Sequence, residues 1–232
     1  IFLPIQTTDG THYATCTTTK PHAMNDTEKL KARINIALYR QRNGAAVDTM
    51  TRMSGDKSRN YGVALTTIRQ IASEYAPCQP LADMLYAGDV RDHRLAALYI
   101  ADPTSFDHDK TLRWMRDVRT TEVADCAAQA LFCKIPDIIT VAMPLINEEP
   151  LVSHTAVMSA ARALGTVKTE PYTVTEFISR LSQIKERTDR TTLSAFTFML
   201  TVLERGGYGT EVSAFIDTLP SESQEELGWI KG

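Results

Sequence analysis

Thr120–Pro136, TTEVADCAAQALFCKIP, decides the fold. Val123, Ala124, Cys126, Ala127, Ala128, Ala130, Leu131, Phe132 and Cys133 leave no wide polar face, so the stretch reads as a helix surrounded by other helices. Glu122, Asp125 and Gln129 interrupt it at i, i+3 and i+7 and fall on one narrow stripe. A carboxylate at Asp125 therefore projects from a mostly buried helix. It either serves a site that the stripe faces, or it faces water or caps a neighbouring turn.

Outward from this stretch, helical periodicity is nearly continuous. Leu30, Ile34, Ala37 and Leu38 mark a helix from Asp26 that Asn43-Gly44 ends, and a shorter helix follows over 45–53. ALTTIRQIASEYAP opens the next. Beyond Pro80 the spacing predicts helices over 81–87, 91–101, 107–118, 121–134, 137–146, 150–164, 173–187, 189–205, 210–219 and 221–230, separated by short breaks rich in Gly, Asp or Pro. Helices joined by such short loops pack as antiparallel hairpins, and hairpins repeated along the chain stack into an α-solenoid. The expected class is all-α, a superhelix of helical hairpins with a concave inner surface. Residues 1–23, rich in Thr and without helical period, are expected to form an irregular arm or extension, and 24–232 a single helical repeat domain.

The chain has 232 residues, 43% hydrophobic and 23% charged, enough to bury a core unaided. With 25 Lys and Arg against 28 Asp and Glu, its net charge of −3 excludes polyanion binding by bulk charge alone. A nucleic-acid surface has to be local. Between Met24 and Tyr75 nine basic residues face five acidic ones, and the tail after Thr210 is acidic, with Glu211, Asp217, Glu222, Glu225 and Glu226 against Lys231. Arg33, Arg40, Arg42, Lys57, Arg59 and Arg69 are thus the candidate DNA contacts, unless they are simply solvated helix faces. No apolar run reaches a membrane span. Cys16, Cys78, Cys126 and Cys133 form no CxxC pair and no zinc spacing, which predicts reduced thiols, no metal and a cytoplasmic setting. His93 and His108 lack helical ligand partners and read as helix-terminal polar groups. Trp114 and Trp229 read as packing residues. No phosphate loop, serine nucleophile elbow or paired-carboxylate motif is present, and no cofactor is expected.

YGVALTTIRQIASEYAP (61–77), LADMLYAGDVRDHRLAALYIADP (81–103) and Thr120–Pro136 resemble the bacterial DNA alkylation repair proteins of the AlkD-like superfamily, HEAT-like repeat DNA glycosylases. The shared features are the Tyr-Gly-Val entry to the helix bearing Arg69, the Asp-His-Arg-Leu-Ala turn at 92–96, and the inner-helix Asp. The resemblance spans most of 45–219. It implies double-stranded DNA as partner, a monomer, and removal of cationic alkylated purines by a carboxylate that stabilises an oxocarbenium-like sugar. Asp125 falls on the family's catalytic Asp and Phe198 on a second aromatic position. The family Trp one turn before the Asp corresponds to Thr121, and the family Arg to Ser153 or His154. These replacements imply weak or absent glycosylase activity. The alternative is an α-solenoid scaffold for protein partners with no DNA role.

Overall fold

The computed structural model describes residues 21–54, 59–166 and 171–231. The described residues form α1 (Pro21–Arg40), α2 (Gly44–Ser54), α3 (Leu65–Ser73), α4 (Gln79–Tyr86), α5 (Arg91–Ile100), α6 (His108–Arg116), α7 (Thr121–Ala130), α8 (Ile138–Ala142), α9 (Pro150–Leu164), α10 (Pro171–Ser182), α11 (Arg190–Arg205), α12 (Gly209–Ile216) and α13 (Ser221–Leu227). Short 3₁₀ turns join some of them. Among the described residues no strand is formed, only an isolated bridge between Arg59 and Val90. No described helix is long and apolar enough to cross a membrane.

The helices form two layers. α3, α5, α7, α9 and α11 pack one on the next as an inner row, while α4 backs α5 and α8 backs α9. The architecture is a superhelix of antiparallel hairpins. Local chemistry sets the helix starts: Asp107, Thr120 and Asp189 each accept a hydrogen bond from a backbone N–H of the first turn they precede, and Pro150 opens α9 where its missing N–H costs nothing.

α7 is buried on the side its composition requires, with Val123, Ala124, Cys126, Ala127 and Ala128 inside and the polar stripe outside. α9 is enclosed more completely, Val152 through Ala161 being buried without interruption. Its Ser and Thr hydroxyls are satisfied at short range: Ser153 donates to the Ile146 carbonyl at 2.6 Å, Thr155 to Leu151 at 2.7 Å and Ser159 to Thr155 at 2.6 Å. Small side chains at Ala156, Ala160 and Ala161 allow α7 and α11 to close on both flanks.

The Asp-His-Arg-Leu-Ala turn is structural. Asp92, fully buried, accepts the Tyr61 N–H at 2.7 Å and the Val63 N–H at 3.0 Å, so it caps the turn that leads into α3. That turn passes through Gly62 at φ 70, where a Cβ would stand 2.3 Å from the Asn43 carbonyl. Arg94 lies over the Tyr86 ring at 4.2 Å and donates to the Tyr86 carbonyl at 2.8 Å and to Asp117 at 2.9 Å. Tyr86 stacks on Trp114 at 3.8 Å, which Phe106 meets edge-on at 5.0 Å. Trp114 thus packs as expected, whereas Trp229 is 67% exposed and does not.

Other expectations are corrected. α1 begins at Pro21, so the last residues assigned to the N-terminal arm are helical, while 1–20 lie outside the described residues. The helix expected through Lys134 ends at Ala130: Leu131 leaves helical geometry at φ −125, ψ −66, which buries Leu131 and Phe132 beneath a separate 3₁₀ turn. The helix expected over 137–146 is five residues long and gives way to a 3₁₀ turn, Met143–Asn147, because Pro144 cannot donate to the carbonyl four residues back and crowds it. The thiols are not all reduced. Cys126 and Cys133 are free, but Cys78 is disulfide-bonded.

Asp92→Ala removes the acceptor for two backbone N–H groups and the carboxylate beside buried Arg91, 3.2 Å away. Loss of such a buried partner is expected to cost about 3 to 5 kcal/mol. Urea unfolding checks it, and a change below about 1 kcal/mol contradicts the capping role.

Candidate functional site

Every inner helix begins at the same edge of the molecule, and hydrogen bonds link those first turns from helix to helix. Arg91, the first residue of α5, donates to the Val63 carbonyl just ahead of α3 at 3.2 Å. On its other side Arg91 grips Glu122 of α7 in a bidentate pair, Nε to Oε2 at 2.7 Å and Nη2 to Oε1. Burial opposes the Arg91 charge, but this pair outweighs it and holds the guanidinium pKa above its ordinary value. One turn on, Asp125 Oδ1 stands 2.8 Å from His154 Nε2 on α9. His154 Nδ1 lies 3.0 Å from the Thr191 carbonyl at the start of α11.

Asp125 and His154 are the centre of the candidate site. The Asp125 side chain is 47% exposed on the outward stripe of α7, and the His154 imidazole is wholly buried behind it. The imidazole bridges two helices, one ring nitrogen on the Asp125 carboxylate and the other on the Thr191 carbonyl, and these two contacts fix the orientation of the ring.

Ser153, the other candidate for the family Arg position, does not reach Asp125: it is buried and donates to the Ile146 carbonyl. Thr121 is exposed at the first position of α7, so no aromatic wall adjoins Asp125 there. Phe198, half-buried on α11, keeps a ring on the inner side, but the Arg162 guanidinium covers it, 4.7 Å from its centroid. Sequence reasoning missed Arg162. His154, Met158 and Arg162 at i, i+4 and i+8 follow one stripe of α9 between α7 and α11. Arg162 thus lies two turns deeper than His154, about 12 Å along the axis. It forms no ion pair among the described residues, and its Nε is buried without a partner. No local pattern announces a stacking across two helices that are 36 residues apart in sequence.

Cys126, beside Asp125 on α7, is not a nucleophile. Burial pushes its thiol up to about 11, with the Glu122 and Asp125 carboxylates adding to the shift. His93 is also explained structurally: burial lowers its pKa, and its Nε2 meets the Asn35 side-chain oxygen at 2.9 Å. Among the described residues no cluster of His, Cys, Asp and Glu is arranged to hold a metal.

The six basic candidates do not converge on this pair. Arg33, Arg40 and Arg42 are exposed on or just after α1, Arg59 is exposed 3.8 Å from Asp89, and Lys57 lies outside the described residues. Arg69 is exposed on α3 of the inner row, near Tyr99 of α5.

Comparison with known proteins agrees with the architecture. The family model described as DNA alkylation repair enzyme matches residues 34–186. No curated protein matches the sequence. A solved structure from work titled "A new family of proteins related to the HEAT-like repeat DNA glycosylases with affinity for branched DNA structures" superimposes with a TM-score of 0.70 over 86% of this chain and 94% of that one, at 17% identity. At that identity the likeness bears on fold, and the repeats are HEAT-like.

The Asp125–His154 pair makes distinct forecasts for two substitutions. Asp125→Asn keeps a hydrogen-bonding group at the same place, and unfolding free energy is expected to change by less than about 1 kcal/mol. His154→Ala leaves a void behind α7 and removes the link to the Thr191 carbonyl, at an expected cost of about 2 to 4 kcal/mol. Equal losses for both variants in denaturant titrations contradict the role of His154 as the buried anchor of the pair.

Proposed function

Since the chain belongs to the DNA alkylation repair enzyme family, whose model covers residues 34–186, we propose that it binds double-stranded DNA along its inner helical row and releases alkylated purines weakly or not at all. The observation that carries the second half is the contact that commits Asp125 Oδ1 to the buried His154 Nε2 at 2.8 Å. A carboxylate assists departure of a cationic base by placing negative charge against the sugar as it becomes cationic. Here one carboxylate oxygen is held by the imidazole 2.8 Å behind it, so less of the carboxylate is free to face the sugar. Thr121 adds no ring to exclude water beside Asp125, so the electrostatic effect is further weakened by solvent.

Binding itself has physical support. The first turns of α3, α5, α7, α9 and α11 share one edge, and each helix start carries partial positive charge toward an approaching phosphate. Arg69 on α3 and Arg162 on α9 add cations on the inner row that no described carboxylate neutralises. The Asp125 carboxylate, oriented by the buried His154 ring, then faces the sugars of the bound strand rather than its phosphates, which have no hydrogen to donate.

Two measurements on one preparation test this. Mobility shifts with a methylated duplex are expected to show affinity that falls steeply with salt, with a log–log slope of about −3 to −5 for several phosphate contacts. Released base, collected from the same duplex, is expected to stay near the uncatalysed background. Absence of any shift at low salt removes the DNA reading in favour of a protein scaffold. Robust release that Asp125→Asn abolishes at unchanged stability instead establishes a working glycosylase.

A further inference from the structure

The face of α1 differs from the rest of the surface. Ile36 and Tyr39, 51% and 48% exposed, are large apolar side chains that stand one turn apart on this helix. Tyr39 is nevertheless held firmly. It meets Tyr61 edge-to-face at 5.5 Å, and Tyr61 meets His93 in the same way at 5.6 Å. Asn35 anchors the back of this row, its side-chain oxygen accepting from the Tyr61 hydroxyl at 2.9 Å and lying 2.9 Å from His93 Nε2. The result is an aromatic ring fixed from behind with about half its surface open.

Two arginines adjoin it. Arg42 lies over the Tyr39 ring at 4.4 Å and among the described residues is tethered only by a 3.4 Å bond to the Tyr39 carbonyl. Arg40 is exposed on the adjoining stripe, and neither it nor Arg42 forms an ion pair among the described residues. A half-exposed ring, covered by a guanidinium that no carboxylate holds among the described residues, has the composition of a single-strand binding surface, in which bases stack and phosphates meet Arg. Two side chains are too small an apolar patch to hold a protein partner by burial alone. Charge and aromaticity together favour a polyanion with flat rings.

We propose that this face of α1 binds unpaired nucleobases of single-stranded DNA, with Tyr39 as the stacking platform and Arg40 and Arg42 on the flanking phosphates. Arg42 swings from the ring to a phosphate as a base arrives, a small movement for an exposed side chain held by one long bond. Duplex DNA hides its base faces and gains nothing from Tyr39. The surface is separate from the inner row and rests on the duplex-binding reading only in assigning the protein to DNA. A molecule with both surfaces engages a junction between paired and unpaired DNA.

Fluorescence anisotropy with a labelled oligothymidine, a duplex of equal length and a fork carrying both tests the assignment. Tyr39→Ala is expected to weaken oligothymidine and fork binding by about 5-fold or more, the scale of one lost base stack, and to leave the duplex within about twofold, the change expected where no stack is lost. Tyr39→Trp is expected to retain binding, whereas Tyr39→Leu, which keeps apolar packing without a π-face, is expected to behave like Tyr39→Ala. Unchanged oligothymidine affinity in Tyr39→Ala overturns the proposal, as does equal weakening of duplex and single strand. Loss of self-association in Tyr39→Ala with DNA binding intact assigns the face to a protein contact and also overturns it. Should the unmutated protein bind duplex but not oligothymidine, this proposal falls while the duplex reading stands; the reverse result removes the duplex reading and leaves this one.

Discussion

The structure depends on a line of hydrogen bonds that runs across the first turns of the inner helices. Asp92 caps the turn before α3, Arg91 joins that turn to Glu122 of α7, and Asp125 passes the connection through His154 to Thr191 of α11. Apolar burial drives the layers together but is indifferent to register, because a helix lined with Ala and Leu can slide or rotate at modest cost. Directional bonds between buried polar groups cannot be satisfied after such a shift. The line therefore sets how far each repeat is advanced on the last, and it aligns the helix starts on one edge.

The alignment that holds the repeats also shapes the candidate site. The same first turns that lock the repeats present the positive ends of the helices together. The polar groups that remain accessible there are those the line leaves half used: Asp125 has one oxygen on His154 and the other toward solvent, and Glu122 is partly exposed while held by Arg91. The site is thus an exposed margin of the framework. Its geometry is rigid, since His154 is enclosed on every side, and one oxygen of Asp125 is committed to that framework.

Much was legible in the residues. The continuous apolar pattern of 120–136 required a helix enclosed by others, and the Glu122, Asp125 and Gln129 stripe emerged on the open side of α7 as its spacing demanded. Elsewhere, local chemistry competed with periodicity. Pro144 broke the expected helix over 137–146, and Leu131 turned away from α7 because burial of Leu131 and Phe132 outweighed three more helical bonds. Trp229 shows the limit of composition as a guide: apolar neighbours in sequence left it on the surface because the closing 3₁₀ turn directs it outward.

By itself the sequence determined the class of fold, the inner helix and the outward stripe, because these follow from the spacing of residues within one helix and one helix turns every 3.6 residues whatever surrounds it. Only the tertiary structure decided what the stripe does. That Asp125 meets His154 rather than Ser153, that His154 reaches Thr191, that Arg162 covers Phe198, and that Tyr39 rests on Tyr61 are all contacts between different helices. Helix-to-helix advance fixes them, and that advance comes from the packing of complete layers, which no single stretch of sequence encodes.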